Sequence, residues 1–191
     1  MNTPTRQEPS TVEYRRFEDT EEATAELNSI VPIYREVYRE PPYLEDEADV
    51  QDFAGSWHRR TSQPGFRLVV AAVGGKPIGF GFGHRLVPKT RWWHGAVDEL
   101  DVDTAEWSGR TFAIIELALL TEFRGQGIGR RLHDLLLRDA AEERVTLLVR
   151  PEPEAEPARR LYDHLGYWQV GEIVPFEGGP LYDALVREIR D

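Results

Sequence analysis

The chain has no cysteine and one methionine in 191 residues. The missing cysteine excludes disulfides, thiolate-ligated zinc and an acyl-cysteine intermediate, and it suits a reducing compartment. Long apolar runs are also missing. None approaches the ~20 residues of a membrane-spanning helix. The opening Met1-Asn2-Thr3-Pro4-Thr5-Arg6-Gln7-Glu8-Pro9-Ser10 is polar and lacks the apolar centre of a secretory signal. The expectation is a cytoplasmic protein with a flexible tail over residues 1–10. Positive charge is scarce, 23 Lys and Arg against 34 Asp and Glu, a net −11. That balance disfavours nucleic acid and anionic membrane as partners and favours cations through long-range steering, although an acidic surface also serves solubility. His58, His84, His94, His133 and His164 show no ligand spacing, so no metal is expected.

What is present suits one globular domain over residues 11–191: 40% hydrophobic residues, 16 Gly and 13 Pro. Val12 to Phe17 alternates like a strand, and Thr20-Glu21-Glu22 opens a helical stretch with a cap residue and early acids. Residues 31–40 and 49–60 each carry an apolar helical stripe, the first stopped by Pro41-Pro42. Phe66 to Val73 and Pro77 to His84 read as a hairpin at the sheet centre, joined at Gly74-Gly75-Lys76. Gly79, Gly81 and Gly83 leave one face of the second strand bare, either as packing space for aromatic neighbours or for close approach of a ligand. Strands are also expected over 112–120, 144–149, 167–173 and 181–189, with an extended acidic loop at 150–154.

The most informative stretch is Arg124-Gly125-Gln126-Gly127-Ile128-Gly129, between the strand-like run 112–120 and a helix-like run carrying Ile128, Leu132, Leu135 and Leu136. Glycines at a strand-to-helix turn let backbone approach an anion, and the free N–H groups and positive dipole end of the helix favour phosphate. Arg124 and Arg130 add cationic donors. A Walker loop would require Lys-Ser or Lys-Thr after the last glycine. A dinucleotide fingerprint would stand near the start of a βαβ unit with an acid about 20 residues on. Neither fits Gly129-Arg130-Arg131 two-thirds of the way along the chain.

The segment from Glu116 to Gly129 resembles the coenzyme A signature of the GNAT family of N-acetyltransferases, Arg/Gln-x-x-Gly-x-Gly/Ala after the fourth strand. A second segment, Ala158 to Tyr167, resembles the family's later helix, which ends in Leu-Tyr-x-x-Leu-Gly-Phe/Tyr. The resemblance is close over residues 66–188 and loose before them. It departs from the family pattern at Thr121, where proline is frequent, and at Ala155, near a common asparagine. It implies an α/β fold of the α+β type: a mixed, mostly antiparallel sheet of about seven strands flanked by helices, with the fourth and fifth strands splayed.

The resemblance further implies acetyl-CoA as co-substrate. Its pyrophosphate would lie on Gln126, Gly127, Ile128, Gly129 and Arg130, beside Gly125 and Arg124, and its pantetheine arm would pair with Leu117 and Leu119 backbone. The acceptor would be a primary amine, on a cationic small molecule or a peptide. A lysine-like amine with a pKa of ~10.4 is ~3.4 units from neutral at pH 7, a deficit of about 4.6 kcal/mol. Positioning and a base must recover much of it.

Glu116, a carboxylate in an apolar strand, is the candidate base or else a structural hydrogen-bonding group; alternation sets it opposite Leu117 and Leu119 unless a bulge intervenes. Tyr162 matches the family tyrosine that faces the departing sulfur, and is otherwise a packing residue. The connection 85–110 holds Trp92, Trp93 and Glu99, which either hold the amine by cation–π and ionic contacts or, for the tryptophans, anchor the loop. A non-catalytic acyl-CoA-binding module is the alternative reading. A homodimer is compatible with the resemblance, dimers being the commonest closed assembly.

Overall fold

The computed structural model describes residues 11–189, so the expected tail at 1–10 lies outside the described residues. Seven strands form one sheet: β1 (Val12–Phe17), β2 (Arg67–Val73), β3 (Lys76–Arg85), β4 (Thr111–Leu119), β5 (Arg144–Val149), β6 (Trp168–Ile173) and β7 (Tyr182–Glu188). Their order is β1-β2-β3-β4-β5-β7-β6, so β4, not the expected hairpin, is the central strand. All neighbours are antiparallel except β4 and β5. The hairpin β2–β3 joins through Gly74 and Gly75, both at positive φ, which costs glycine no steric clash.

One sheet face is covered by helices from the first third of the chain, α1 (Thr20–Ala25), α2 (Leu27–Tyr38), α3 (Glu47–Gly55) and α4 (Trp57–Thr61). Asp19, rather than Thr20, caps α1 by accepting from the N–H groups of Glu21 (2.8 Å) and Glu22 (3.1 Å). The helix expected over 49–60 is two helices meeting at Ser56. These helices bury Ile30, Tyr34, Phe53 and Trp57 against Phe80 and Phe82.

The other face carries α5 (Ile128–Leu136) and α6 (Glu156–His164), whose Leu132, Leu136 and Tyr162 share a core with Phe112, Val145 and Leu147. Here the bare glycine face is explained. A Cβ on Gly79 would lie 2.7 Å from a Leu119 methyl, and one on Gly81 would lie 2.8 Å from a Leu117 methyl. The glycines are packing space, for leucine methyls at Gly79 and Gly81 and for the Phe112 ring at Gly83, where a Cβ would lie 2.7 Å from a ring carbon.

The 150–154 loop ends in a single 3-10 turn, Pro153–Ala155, which leads into α6. Ala155 is buried in it.

Two irregularities open the sheet at its middle. The β4–β5 pairing stops after three residue pairs, ending at Ala113 and Thr146, and beyond it the strands diverge. Ile115 is an extra residue in β4: Glu116 pairs with Phe82, whereas Ile114 pairs with Gly83. Such a bulge resets which face each later side chain takes.

Candidate active site

The gap between the diverging strands holds a cavity of about 220 Å³. Glu116 and Leu117 come to it from β4, Leu148 from β5, Tyr162 from α6, and Tyr38, Tyr43 and Glu45 from the end of α2 and the segment after it. The bulge at Ile115 explains how a carboxylate comes to lie there. Without the extra residue, Glu116 would share a face with Phe112 and Ile114, in the core beneath α5; with it, Glu116 turns toward α2. It remains opposite Leu117 and Leu119, as alternation requires.

Among aromatic rings, the Glu116 carboxylate is costly to ionise. Burial, partly opposed by a hydrogen bond from Tyr38 and the field of Arg60, pushes its pKa up to about 7. The Tyr38 hydroxyl donates to Glu116 Oε2. Glu45, which lines the same cavity, is also raised, chiefly by burial.

Tyr162 is 7% exposed, its ring set edge-on to Tyr167 with centroids 5.6 Å apart. Burial, then the neighbouring Tyr43 and Glu116, raise its pKa, so the phenol stays protonated at neutral pH. No described residue hydrogen-bonds its hydroxyl, which leaves the O–H free to donate into the cavity.

At the end of β4, Gly125 and Gly127 both have positive φ, 74° and 80°. Gly127 precedes α5 as its cap residue, and no side chain caps that helix end. A Cβ on either glycine would meet no atom within 4 Å, so the turn faces open space. Uncapped N–H groups at a helix start beside an open glycine turn fit the pyrophosphate of coenzyme A. The strand leading to the turn also presents free backbone. Leu120 N–H donates to Ile78 in β3 (3.0 Å), so by alternation the N–H and C=O of Leu117 and Leu119 point to the opposite, diverging side. Accordingly, the Leu119 carbonyl accepts from Arg124 Nε (3.0 Å) rather than from β3.

A family model, the acetyltransferase (GNAT) family, matches residues 27–167. The chain belongs to this family. Solved structures of similar fold include aminoglycoside 6'-acetyltransferase type Ii, with TM-score 0.64, 16% identity, and 93% of this chain and 97% of that one covered. Ard1 from Thermoplasma volcanium gives 0.60, 18%, 94% and 99%. The PaiA N-acetyltransferase from Thermoplasma acidophilum, solved with coenzyme A, gives 0.59, 12%, 93% and 99%. At these identities the likeness is one of fold. No curated protein matches the sequence.

This GNAT acetyltransferase brings Glu116, Tyr162 and Trp92 to one cavity, and Trp92 Nε1 lies 3.3 Å from Thr146 Oγ1, where the β4–β5 pairing ends. Trp93 and Glu99 do not reach it. Trp93 is buried against Leu86, Val170 and Val186, held by its Nε1–H to Glu106 Oε1 (3.0 Å), which also takes Arg144 in a buried ion pair (2.9 Å). Glu99 is exposed in a stretch laid along β6, where Val97 N–H donates to Glu172 (3.0 Å) and Asp101 N–H to Val170 (2.7 Å). Most of the 85–110 connection therefore serves to cover β6 and the end of the sheet.

Arg124 and Arg130 both flank the glycine turn. Arg124 pairs with Glu40 (2.9 Å), Arg130 more loosely with Asp134 (3.8 Å). Thr121, the departure from the family's proline, donates to Glu40 (2.6 Å) and so ties the end of α2 to the turn. Ala155 offers the site no polar side chain.

Sequence reasoning passed over Tyr38, Tyr43, Glu45, Phe176 and Tyr182 in the cavity wall. The signal available was the density of tyrosine and acid around Pro41-Pro42. Nothing local said that this segment meets β4. Among the described residues no group of three His, Cys, Asp or Glu could hold a metal, and no helix is long and apolar enough to cross a membrane.

Proposed function

We propose that residues 11–191 act as one N-acetyltransferase unit that moves the acetyl group of acetyl-CoA to a primary amine by direct attack in a ternary complex. The observation that carries this reading is Glu116: a carboxylate with a pKa near 7, in the gap of the splayed strands, facing the same cavity as a protonated tyrosine. A base poised near the working pH is suited to taking a proton from an ammonium or attacking amine.

The N–H groups from Gln126 to Arg130 would hold the pyrophosphate, and Leu117 and Leu119 would hydrogen-bond the pantetheine amides, after Arg124 gives up the Leu119 carbonyl. Glu116, directly or through water, removes the amine proton as nitrogen bonds to the acetyl carbon. Tyr162 donates a hydrogen bond to the sulfur as the C–S bond breaks, offsetting charge that develops on the thiolate. Because burial raises the phenol pKa, charge stabilisation is the role its environment supports, with full proton transfer uphill. The products are an N-acetyl amine and free coenzyme A.

The test is amine-dependent release of coenzyme A by the purified protein. Loss of turnover in Glu116→Gln and Tyr162→Phe, with acetyl-CoA affinity retained, is expected. Retained cofactor binding without turnover for any amine in the wild type would instead favour a non-catalytic acyl-CoA-binding module.

A further inference from the structure

Among the carboxylates of the cavity, Glu45 has no role in the chemistry above, yet it is the least satisfied. Its Oε2 is buried and accepts no hydrogen bond from any described residue; the Tyr34 hydroxyl is the one side-chain hydrogen-bond partner of the carboxylate, which has no ion pair among the described residues. Buried carboxylate oxygens are ordinarily bonded, since an unmade bond costs the full desolvation of the atom. Arg60 lies close enough for its field to act on Glu45. Its Nε, however, donates to Ser56 Oγ (2.8 Å), and its guanidinium lies over the Phe53 and Phe82 rings, 5.6 and 5.7 Å to their centroids.

Around Glu45, Tyr43 and Phe176 line the same cavity, and Phe176 is 63% exposed at its mouth. A carboxylate with one buried oxygen left unbonded, beside aromatic faces, is the chemistry that recognises an organic cation. Glu116 lines the same small cavity, and the charge of Glu45 acts on it, so a cation at Glu45 would lie near an amine at the base. Beyond it, Glu45 and Phe176 also border an outer, more open cavity. There Asp49 and Asp52 are balanced by Arg59 and Arg60, so the outer space offers a route of entry rather than another cation site.

We infer that the acceptor is a small primary amine carrying a second cationic nitrogen, and that Glu45, with Tyr43 and Phe176, is the group that selects it. The inference rests on the acetyl-transfer reading for its meaning but not for its test. The net charge of −11 adds a general attraction for such a dication.

The experiment compares 1,4-diaminobutane with n-pentylamine, amines alike in length and different in the second charge. Two readouts are taken: steady-state release of coenzyme A, and calorimetric binding of each amine to the coenzyme A-loaded protein. A charge-assisted bond in a desolvated site predicts a diamine preference in kcat/KM of roughly 10- to 100-fold. Glu45→Gln should reduce that ratio to below about 3-fold, mainly through KM, whatever its effect on absolute rates. Phe176→Ala, at an exposed position where folding is not at risk, should weaken the diamine several-fold. Equal handling of the two amines by wild type, or a preference that survives Glu45→Gln, overturns the inference while leaving acetyl transfer intact. If neither amine is acetylated, calorimetry still decides. Selective diamine binding lost in Glu45→Gln upholds the cation site, and the absence of selective binding overturns it; acetyl transfer itself is decided separately by turnover across a wider set of amines.

Discussion

Replacing Glu116 by Gln should damage activity and improve stability, and both effects should depend on pH in a defined direction. The folded-state pKa is about 7 against an ordinary 4.5. At 1.36 kcal/mol per pH unit, ionising this carboxyl in the folded protein costs about 3 kcal/mol. The folded state therefore holds the proton more tightly than the unfolded chain. The stabilising contribution of the protonated form is fully present below pH 4.5 and is lost as pH rises through 7. Glutamine keeps an oxygen for the Tyr38 hydroxyl and cannot ionise. Relative to wild type, the variant should gain about 3 kcal/mol between pH 4 and pH 9. For a chain of this length that is roughly 6–12 °C in Tm at the alkaline end.

The same substitution removes the base, and kcat should fall roughly 10²- to 10⁴-fold. The wild-type kcat should rise tenfold per pH unit toward a midpoint near 7, and that midpoint should vanish in the variant. Thermal melts across pH and kcat profiles for both proteins are sufficient. A stability difference that is flat with pH, or a variant with wild-type kcat and the same midpoint, would refute the reasoning.

Tyr38→Phe should move the kcat midpoint to higher pH, because the lost hydroxyl is the group that favours the Glu116 carboxylate; a downward or absent shift would show that the contact does not set the base. Tyr162→Phe should lower kcat with acetyl-CoA affinity and Tm nearly unchanged, since its hydroxyl bonds no described residue; isothermal calorimetry beside steady-state kinetics separates the two. Gly127→Glu should abolish acetyl-CoA binding by setting a carboxylate in the cradle. Gly127→Ala, at φ 80°, should cost about 1–2 kcal/mol, read in urea melts. Glu142 is wholly buried between Arg67 (2.7 Å) and Arg85 (2.6 Å), and Glu142→Gln should destabilise by about 3–5 kcal/mol. A loss under 1 kcal/mol would mean the arginines find other partners.

Local features of the sequence were sufficient for the strand–turn–helix at 111–136, because apolar alternation, glycine clustering and a helical leucine stripe each have a short period and need no distant partner. The glycine turn, the free helix end and the placing of Tyr162 on a helix were legible for the same reason. Glu116 was visible as a carboxylate in an apolar strand, but not its direction, since one extra residue at Ile115 turns every later side chain and bulges leave no fixed sequence mark. The two readings of Trp93 could not be separated in the sequence, because what draws it inward, the buried Glu106–Arg144 pair, joins residues 38 apart. The tyrosines and Glu45 after α2 face the cavity only because α2 crosses β4, a contact between positions 78 apart in the case of Tyr38 and Glu116. Periodicity fixes elements because it is local. The composition of the site, and the buried Glu45 oxygen left unbonded within it, came only with the packing of segments distant in the chain.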